Sequence, residues 1–224
     1  MRLTPVLRIP ELVAAPEGDG PFPGLILLSE AWGLDDHIAR LASQLAAAGF
    51  LTAAPDLLAG RGSRRAIRDA LRGEGSAFAQ VDEAAEWLAG EPRSDPSRMG
   101  VLGLSMGATM ALRLALSGRF QVAGLFYGLT PKGADWSRCC PVVASFGEKD
   151  RLIRDQGRAL AKNLERAGVE NDVKCYKLAK HSFLTEAKPG WQTTLLGLRY
   201  DPFAAADAWQ RSISFLKRHL SIPS

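Results

Sequence analysis

The sequence predicts an α/β fold in which helices flank a mainly parallel central sheet, and two observations predict it. Short apolar runs such as Leu25–Ser29 alternate along the chain with segments whose apolar residues recur at helical spacing, which is the order of parallel strands joined by helices. The apolar run Met99–Leu104 then passes through the serine of a Gly-x-Ser-x-Gly sequence, residues 103–107, directly into a helical pattern. A sharp strand-to-helix turn of this kind holds its serine at the edge of the sheet.

The chain before this turn alternates strands with helices after an opening stretch rich in proline and glycine. The first helix has a favourable N-cap at Asp35 and a natural end at Gly49, because these residue types satisfy or terminate the ends of a helix. In order, the predicted elements are at most one edge strand around Thr4–Arg8, a strand at Leu25–Ser29, a helix from Asp35 to Gly49, a strand at Phe50–Ala54, a polar and basic segment to about Gly75, a helix at Ala77–Ala89 and a turn-rich link at Gly90–Ser97.

The chain after the turn continues the same alternation. Because the strands are expected to be parallel, reactive side chains are expected at their carboxyl ends. In order, the predicted elements are the helix that follows the turn, a strand at Val122–Tyr127, a loop at Gly128–Arg138, a strand at Pro141–Phe146, a helix that ends at Gly168, a strand at Asp172–Leu178 and a terminal helix at Ala204–Leu220.

Ser105, at the centre of the turn, is the candidate nucleophile. Glycine is needed on both sides of such a serine because neighbouring backbone comes too close for a side chain. The helix that begins at the turn would aim backbone N–H groups and its positive dipole end at an oxyanion formed there. A serine that only caps a buried helix is the alternative, and the strand before the motif and the helix after it favour the nucleophile.

A serine nucleophile needs a base and a carboxylate that fixes the tautomer of that base, and this architecture places them in the order serine, acid, histidine. The chain has three histidines. His37 precedes Ser105 in the first helix, and His219 lies in a basic terminal helix whose end favours a cation. His181, directly after the last predicted strand, is therefore the candidate base. Asp150 follows a predicted buried strand in a tight turn and is the candidate acid.

An oxyanion hole needs two converging N–H donors. Met106, the residue after the candidate nucleophile, would supply one of them. Ala31, in the loop after the first apolar strand, would supply the other. Trp32, the next residue, is expected to form a wall of the substrate pocket, although an aromatic residue here could also belong to the core.

Length and composition favour one globular domain over residues 1–224. The chain is 46% hydrophobic and 23% charged, no continuous apolar stretch follows Arg2 as in a signal peptide, and no apolar run approaches the length of a membrane span. These features predict a cytoplasmic protein with no membrane partner. The three cysteines are an odd count with two adjacent members, which favours reduced thiols over disulfides or a metal site. A net charge of +4 suits an anionic substrate but is too small to indicate nucleic acid.

Several segments, in matching order over nearly the whole chain, resemble the dienelactone hydrolase family of α/β-hydrolases. The resemblance is carried by Gly20–Leu34, Asp36–Ile38, Ala48–Phe50, Ala54–Leu57, the Ser105 motif, Gly147–Asp150, His181–Phe183 and Tyr200–Trp209. It implies an α/β-hydrolase fold with a minimal cap domain or none, hydrolysis of a carboxylic ester or lactone, and no metal or organic cofactor. It also implies a catalytic role for Glu30, because a glutamate at this position in the family lies beside the resting nucleophile and helps to activate it.

Two departures from the family pattern bear on the substrate. Dienelactone hydrolase itself uses a cysteine nucleophile, whereas this chain has Ser105, which suits ordinary oxygen esters. The enzyme also has an arginine shortly after its His-Ser-Phe sequence to hold the substrate carboxylate, whereas Leu184–Ala187 follow here. The other half of that clamp would come from the arginines at 61, 64, 65, 68 and 72, of which Arg68 is the candidate, although a solvated cationic helix face is the simpler explanation for each of them.

Three alternatives remain at this stage. The same triad could pass the acyl group to an acceptor other than water, which would make the protein an acyltransferase. A catalytically silent binding protein could retain the fold, although it would have no physical reason to keep Ser105, Asp150 and His181. Binding of nucleic acid by the arginine segment is the weakest alternative, and the sequence leaves a monomer and a homodimer equally open.

Overall fold

The computed structural model describes residues 11–59, 62–186 and 199–222, and within them seven strands form one sheet. The strands are β1 (Leu12–Ala14), β2 (Phe22–Leu28), β3 (Leu51–Ala54), β4 (Ser94–Leu104), β5 (Val122–Phe126), β6 (Val142–Gly147) and β7 (Asn171–Tyr176). Their order is β1-β3-β2-β4-β5-β6-β7. β1 is antiparallel to β3, and the other neighbours are parallel. The predicted α/β-hydrolase fold class is confirmed.

Helices connect the parallel strands and cover the sheet. They are α1 (Asp36–Ala47), α2 (Ser63–Arg72), α3 (Ser76–Gly90), α4 (Met106–Ala115), α5 (Gln156–Arg166) and α6 (Pro202–His219). α1 begins as the sequence predicts, because the Asp35 side chain accepts hydrogen bonds from the backbone N–H groups of His37 and Ile38. None of the helices in these residues is long and apolar enough to span a membrane.

The core lies between the sheet and the helices, and the central strands supply much of it. Leu25, Ile26, Leu27 and Leu28 of β2 are fully buried. A strand covered on both faces by helices has a continuous run of apolar residues rather than alternating apolar and polar residues. This strand was therefore predictable from the sequence. All three cysteines belong to the described residues and are free thiols, and burial raises the pKa of Cys140 to about 12.

Two regions differ from the sequence-based expectations. β4 begins at Ser94, within the segment predicted as a turn-rich link, because Ser94 and Asp95 pair with the first residues of β2 before a bulge shifts the register. The segment after β3, expected as polar and basic with a cationic helix face but without helix bounds, contains the ten-residue helix α2. The edge strand predicted around Thr4–Arg8 lies outside the described residues.

Candidate active site

Ser105 lies at the junction of β4 and α4 in a strained backbone conformation. Its φ and ψ angles are 51° and −109°, a region that side-chain-bearing residues rarely occupy. Both flanking glycines are needed for the turn. A Cβ atom on Gly103 would lie 2.2 Å from the carbonyl oxygen of Gly107, and one on Gly107 would lie 2.4 Å from that of Leu28. The turn therefore cannot form with any other residue at positions 103 and 107.

The structure brings Ser105, His181 and Asp150 into one hydrogen-bonded relay. The Oγ atom of Ser105 lies 2.9 Å from Nε2 of His181, and Nδ1 of His181 lies 2.6 Å from Oδ2 of Asp150. With the Nδ1 proton donated to the carboxylate, Nε2 is free to accept the serine proton. His181 and Asp150 are buried, so the relay is shielded from bulk water.

The loop after β6 fixes the carboxylate of Asp150 in place. Its Oδ1 atom accepts hydrogen bonds from the backbone N–H groups of Leu152 at 2.9 Å and Ile153 at 3.3 Å. The other oxygen, Oδ2, is thereby left to face His181. On the other side of the imidazole, the Tyr127 ring lies 5.1 Å away between ring centroids, so both the acid and the base are held by their surroundings.

Glu30 lies at the end of β2 and is almost fully buried. Its carboxylate accepts a hydrogen bond of 2.9 Å from the hydroxyl of Ser182. Burial raises the pKa of Glu30 above its ordinary value, and the Ser182 hydrogen bond and nearby His181 oppose that rise. Among the described residues, Glu30 makes no hydrogen bond to Ser105, which faces His181 instead. The catalytic role implied for Glu30 by the family resemblance therefore stays a prediction.

A small apolar cavity of about 210 Å³ opens beside Ser105 and His181. Both residues expected to form the oxyanion hole, Ala31 and Met106, line it. Met106 is the first residue of α4, so its N–H has no partner within the helix and is available to an oxyanion. The carbonyl oxygen of Ala31 accepts a hydrogen bond of 2.6 Å from the Ser63 hydroxyl, which ties this loop to α2.

The two residues predicted to contact substrate do not line this cavity. Among the described residues that line the cavity, neither Trp32 nor Arg68 is found, and the wall from α2 is formed by Ile67, Ala70 and Leu71. Trp32 is 52% exposed. Arg68 lies on the solvent side of α2, because the apolar side of this amphipathic helix packs toward the site. The arginine face of α2 is thus solvated, while its apolar side chains line the cavity beside Ser105, and contact of Trp32 or Arg68 with substrate stays a prediction.

Sequence reasoning missed three buried residues around the relay. Tyr127, at the end of β5, donates or accepts a hydrogen bond of 3.2 Å with Thr185. Ser182 has a left-handed φ of 55° and anchors Glu30. Only the positions of two of these residues in the sequence could have indicated a role at the site. Tyr127 ends an apolar strand, and Ser182 directly follows the candidate base.

Comparison with known proteins assigns the chain to a family. The model of the dienelactone hydrolase family matches residues 9–220. The chain belongs to the dienelactone hydrolase family. Carboxymethylenebutenolidase of Rhodococcus opacus is 27% identical to it over 222 residues, covering 89% of this chain and 82% of the relative. Protein usf of Aquifex pyrophilus is 27% identical, covering 96% and 95% of the two chains.

Solved structures of other proteins share this fold. A dienelactone hydrolase-like promiscuous phosphotriesterase from metagenomic libraries superposes with a TM-score of 0.79 at 26% identity, covering 90% of this chain and 88% of the other. A thermophilic esterase from Thermogutta terrifontis, solved with butyrate bound, has a TM-score of 0.66 at 16% identity, covering 92% and 87%. The second likeness is one of fold alone.

Proposed function

We propose that this member of the dienelactone hydrolase family hydrolyses a small carboxylic ester or lactone with Ser105 as nucleophile. The observation that carries the proposal is the relay in which Ser105 Oγ lies 2.9 Å from His181 Nε2 and His181 Nδ1 lies 2.6 Å from Asp150. The relay borders a cavity lined by Ala31 and Met106. A nucleophile, an oriented base and candidate oxyanion donors at one point are the requirements of acyl transfer.

Acylation begins when His181 accepts the proton of Ser105 and Oγ attacks the ester carbonyl. The buried Asp150 carboxylate stabilises the imidazolium that forms and holds its ring in the correct orientation. The backbone N–H groups of Met106 and Ala31 bind the oxyanion, which is where preorganised donors contribute most to the rate. His181 then gives its proton to the leaving alcohol, and the acyl group remains on Ser105.

Deacylation repeats these steps with water in place of the serine hydroxyl. His181 takes a proton from water, the resulting hydroxide attacks the acyl carbonyl, and Ser105 leaves with the proton returned by His181. The relay and the two amides supply the proton transfers and oxyanion contacts of both steps, and the role in activating the nucleophile that the family resemblance implies for Glu30 stays a prediction. Glu30 acts in this scheme by anchoring Ser182, the residue next to the base.

The cavity favours an acyl group that is short and apolar. Its volume is about 210 Å³, and Ile67, Ala70 and Leu71 form its α2 wall. Among the described residues that line the cavity there is no arginine to pair with a carboxylate on the acyl group. Esters with short apolar acyl chains are therefore the best candidates for this cavity. We also propose a cytoplasmic location, because three free thiols suit a reducing compartment.

The test is hydrolysis of p-nitrophenyl butyrate and of a dienelactone by the wild type, Ser105→Ala and the matched control Ser43→Ala, whose hydroxyl is exposed on α1. We expect Ser105→Ala to lower kcat by roughly a thousandfold or more and Ser43→Ala to match the wild type. Equal rates in the wild type and Ser105→Ala would overturn the proposal. Addition of small alcohols tests the acyltransferase alternative, since transfer to them would yield new esters at the expense of the free acid.

A further inference from the structure

A second, larger depression meets the relay on the His181 side. We call it the basic groove, and it is formed by residues 146–158 together with Cys175, Lys180 and His181. Its volume is about 700 Å³. Leu152, Ile153 and His181 line both the basic groove and the apolar cavity. The two spaces are therefore neighbours that share the imidazole of the proposed base.

Positively charged side chains outnumber carboxylates in the basic groove. Its carboxylates are engaged: Glu148 and Asp155 lie 3.3 Å and 3.6 Å from the guanidinium of Arg158, and Asp150 holds His181. Four other cations line the groove, and within the described ranges none lies at ion-pair distance from a carboxylate. They are Lys149, Arg151, Arg154 and Lys180. Unpaired cations around a concave surface attract an anion.

The direction of proton transfer decides which part of an ester would occupy this groove. When the acyl-enzyme forms, Nε2 of His181 must protonate the alcohol oxygen, so the alcohol leaves from beside the imidazole. The acyl group stays bonded to Ser105 and lies in the cavity that Ile67 and Leu71 line. The alcohol part, which lies past His181, is the part that can extend into the basic groove.

We propose that the basic groove binds the alcohol part of the substrate and that this alcohol carries a carboxylate or phosphate group. The inference rests on the proposed function and specifies its substrate class as an ester between a short apolar acid and an anionic alcohol. The reaction is balanced as a hydrolysis. The bond from the acyl carbon to the alcohol oxygen breaks, the alcohol takes a proton through His181, and water supplies the hydroxyl of the acid.

Two pairs of esters, one charged on the alcohol part and the other on the acyl part, test this proposal. One pair, p-butyryloxybenzoate and p-butyryloxybenzamide, differs in charge on the alcohol part. The other pair, mono-p-nitrophenyl glutarate and p-nitrophenyl butyrate, differs in charge on the acyl part. Each kcat/KM is divided by the rate of the same ester with hydroxide, which removes intrinsic differences between leaving groups. The readout is the ratio of anionic to neutral ester within each pair.

For the first pair we expect the wild type to favour the anionic ester by about fivefold or more at low salt, with the preference falling as salt screens the exposed cations. The double variant Arg151→Glu/Arg154→Glu should bring the ratio to one or below. The matched control Lys162→Glu/Arg166→Glu changes the same charge on α5, outside the basic groove, and should keep the wild-type ratio.

Three results would overturn the inference: equal rates for the benzoate and the benzamide, a preference for charge on the acyl part, or an equal loss of preference in the control variant. The neutral benzamide separates this inference from the proposed function. If the wild type hydrolyses the benzamide without favouring the benzoate, only the basic groove is refuted. If it hydrolyses none of the esters, the proposed function and the inference fail together.

Discussion

The hydroxyl of Ser182 donates a hydrogen bond of 2.9 Å to the buried carboxylate of Glu30, which joins the end of β2 to the residue after His181. The two residues are 152 positions apart in the chain. Their contact therefore couples the loop that contains Ala31 to the loop that contains the proposed base. A buried carboxylate needs such donors, because burying it without a hydrogen bond is costly.

Removal of that donor should destabilise the protein. We expect Ser182→Ala to lower the free energy of unfolding by about 1–3 kcal/mol, because Glu30 would then be buried without its Ser182 hydrogen bond. Urea denaturation measures the effect, and Ser43→Ala, at an exposed serine, is the control. A stability equal to that of the wild type would show that the contact contributes nothing.

The pKa of Glu30 gives a pH dependence of stability with a definite sign. Because burial raises this pKa above the ordinary value of 4.5, the folded state binds a proton that the unfolded state has released. Stability is then lost as the pH rises from about that value through the raised pKa of the folded state. Glu30→Gln removes this titration, so the unfolding free energy of the wild type relative to the variant should decrease over that window.

Urea denaturation of both proteins at several pH values between acid and neutral measures this difference. A difference that stays constant, or that changes in favour of the wild type as pH rises, would contradict a raised pKa for Glu30. The ester hydrolysis rate of Glu30→Gln, measured alongside, reports whether the carboxylate contributes to activity as well as to anchoring Ser182.

The strand-to-helix turn at Ser105 has no room for a side chain at Gly103. A Cβ atom there would lie 2.2 Å from the Gly107 carbonyl oxygen, so Gly103→Ala should cost about 3 kcal/mol or more, at or above the upper end of ordinary overpacking. Gly133→Ala is the control, because that glycine has open space around it and only a left-handed φ, for which alanine costs about 1–2 kcal/mol. Equal losses in urea denaturation would refute the steric account.

The α2 wall of the cavity should set the length of the acyl chain. Leu71→Trp should lower kcat/KM for p-nitrophenyl hexanoate relative to the acetate by roughly tenfold, because the larger ring fills space at the mouth of a cavity of about 210 Å³ and overpacks it for the longer chain. Arg68→Ala, on the same helix but outside the cavity lining, should leave this ratio unchanged. If Arg68→Ala changes the ratio and Leu71→Trp does not, the assignment of the α2 faces is wrong.

The sequence predicted the strand-turn-helix at Ser105 because local sterics decide it. The spacing of Gly103, Ser105 and Gly107 is itself the structural requirement. Asp150 and His181 were also predictable, since each directly follows a strand and parallel strands collect their carboxyl ends at one edge. Topology therefore placed three distant residues together without any knowledge of side-chain contacts.

Other features of the site depend on packing that the sequence does not record. Trp32 and Arg68 were predicted to contact substrate, whereas among the described residues Ile67 and Leu71 line the cavity beside Ser105. The orientation of a helix with one apolar and one cationic face is set by what it packs against. The hydrogen bond between Ser182 and Glu30 was equally unpredictable from the sequence, because it joins distant residues and Ser182 has a left-handed backbone conformation.

The central claim is that Ser105 is a nucleophile activated through His181 by Asp150. The most direct measurement is mass spectrometry of the protein after treatment with paraoxon, which phosphorylates an activated serine. We expect one diethylphosphoryl group on the peptide that contains Ser105, none in Ser105→Ala, and labelling of Asp150→Asn slowed on the order of a thousandfold or more. Wild-type protein that remains unlabelled, or that is labelled at another residue, would contradict the claim.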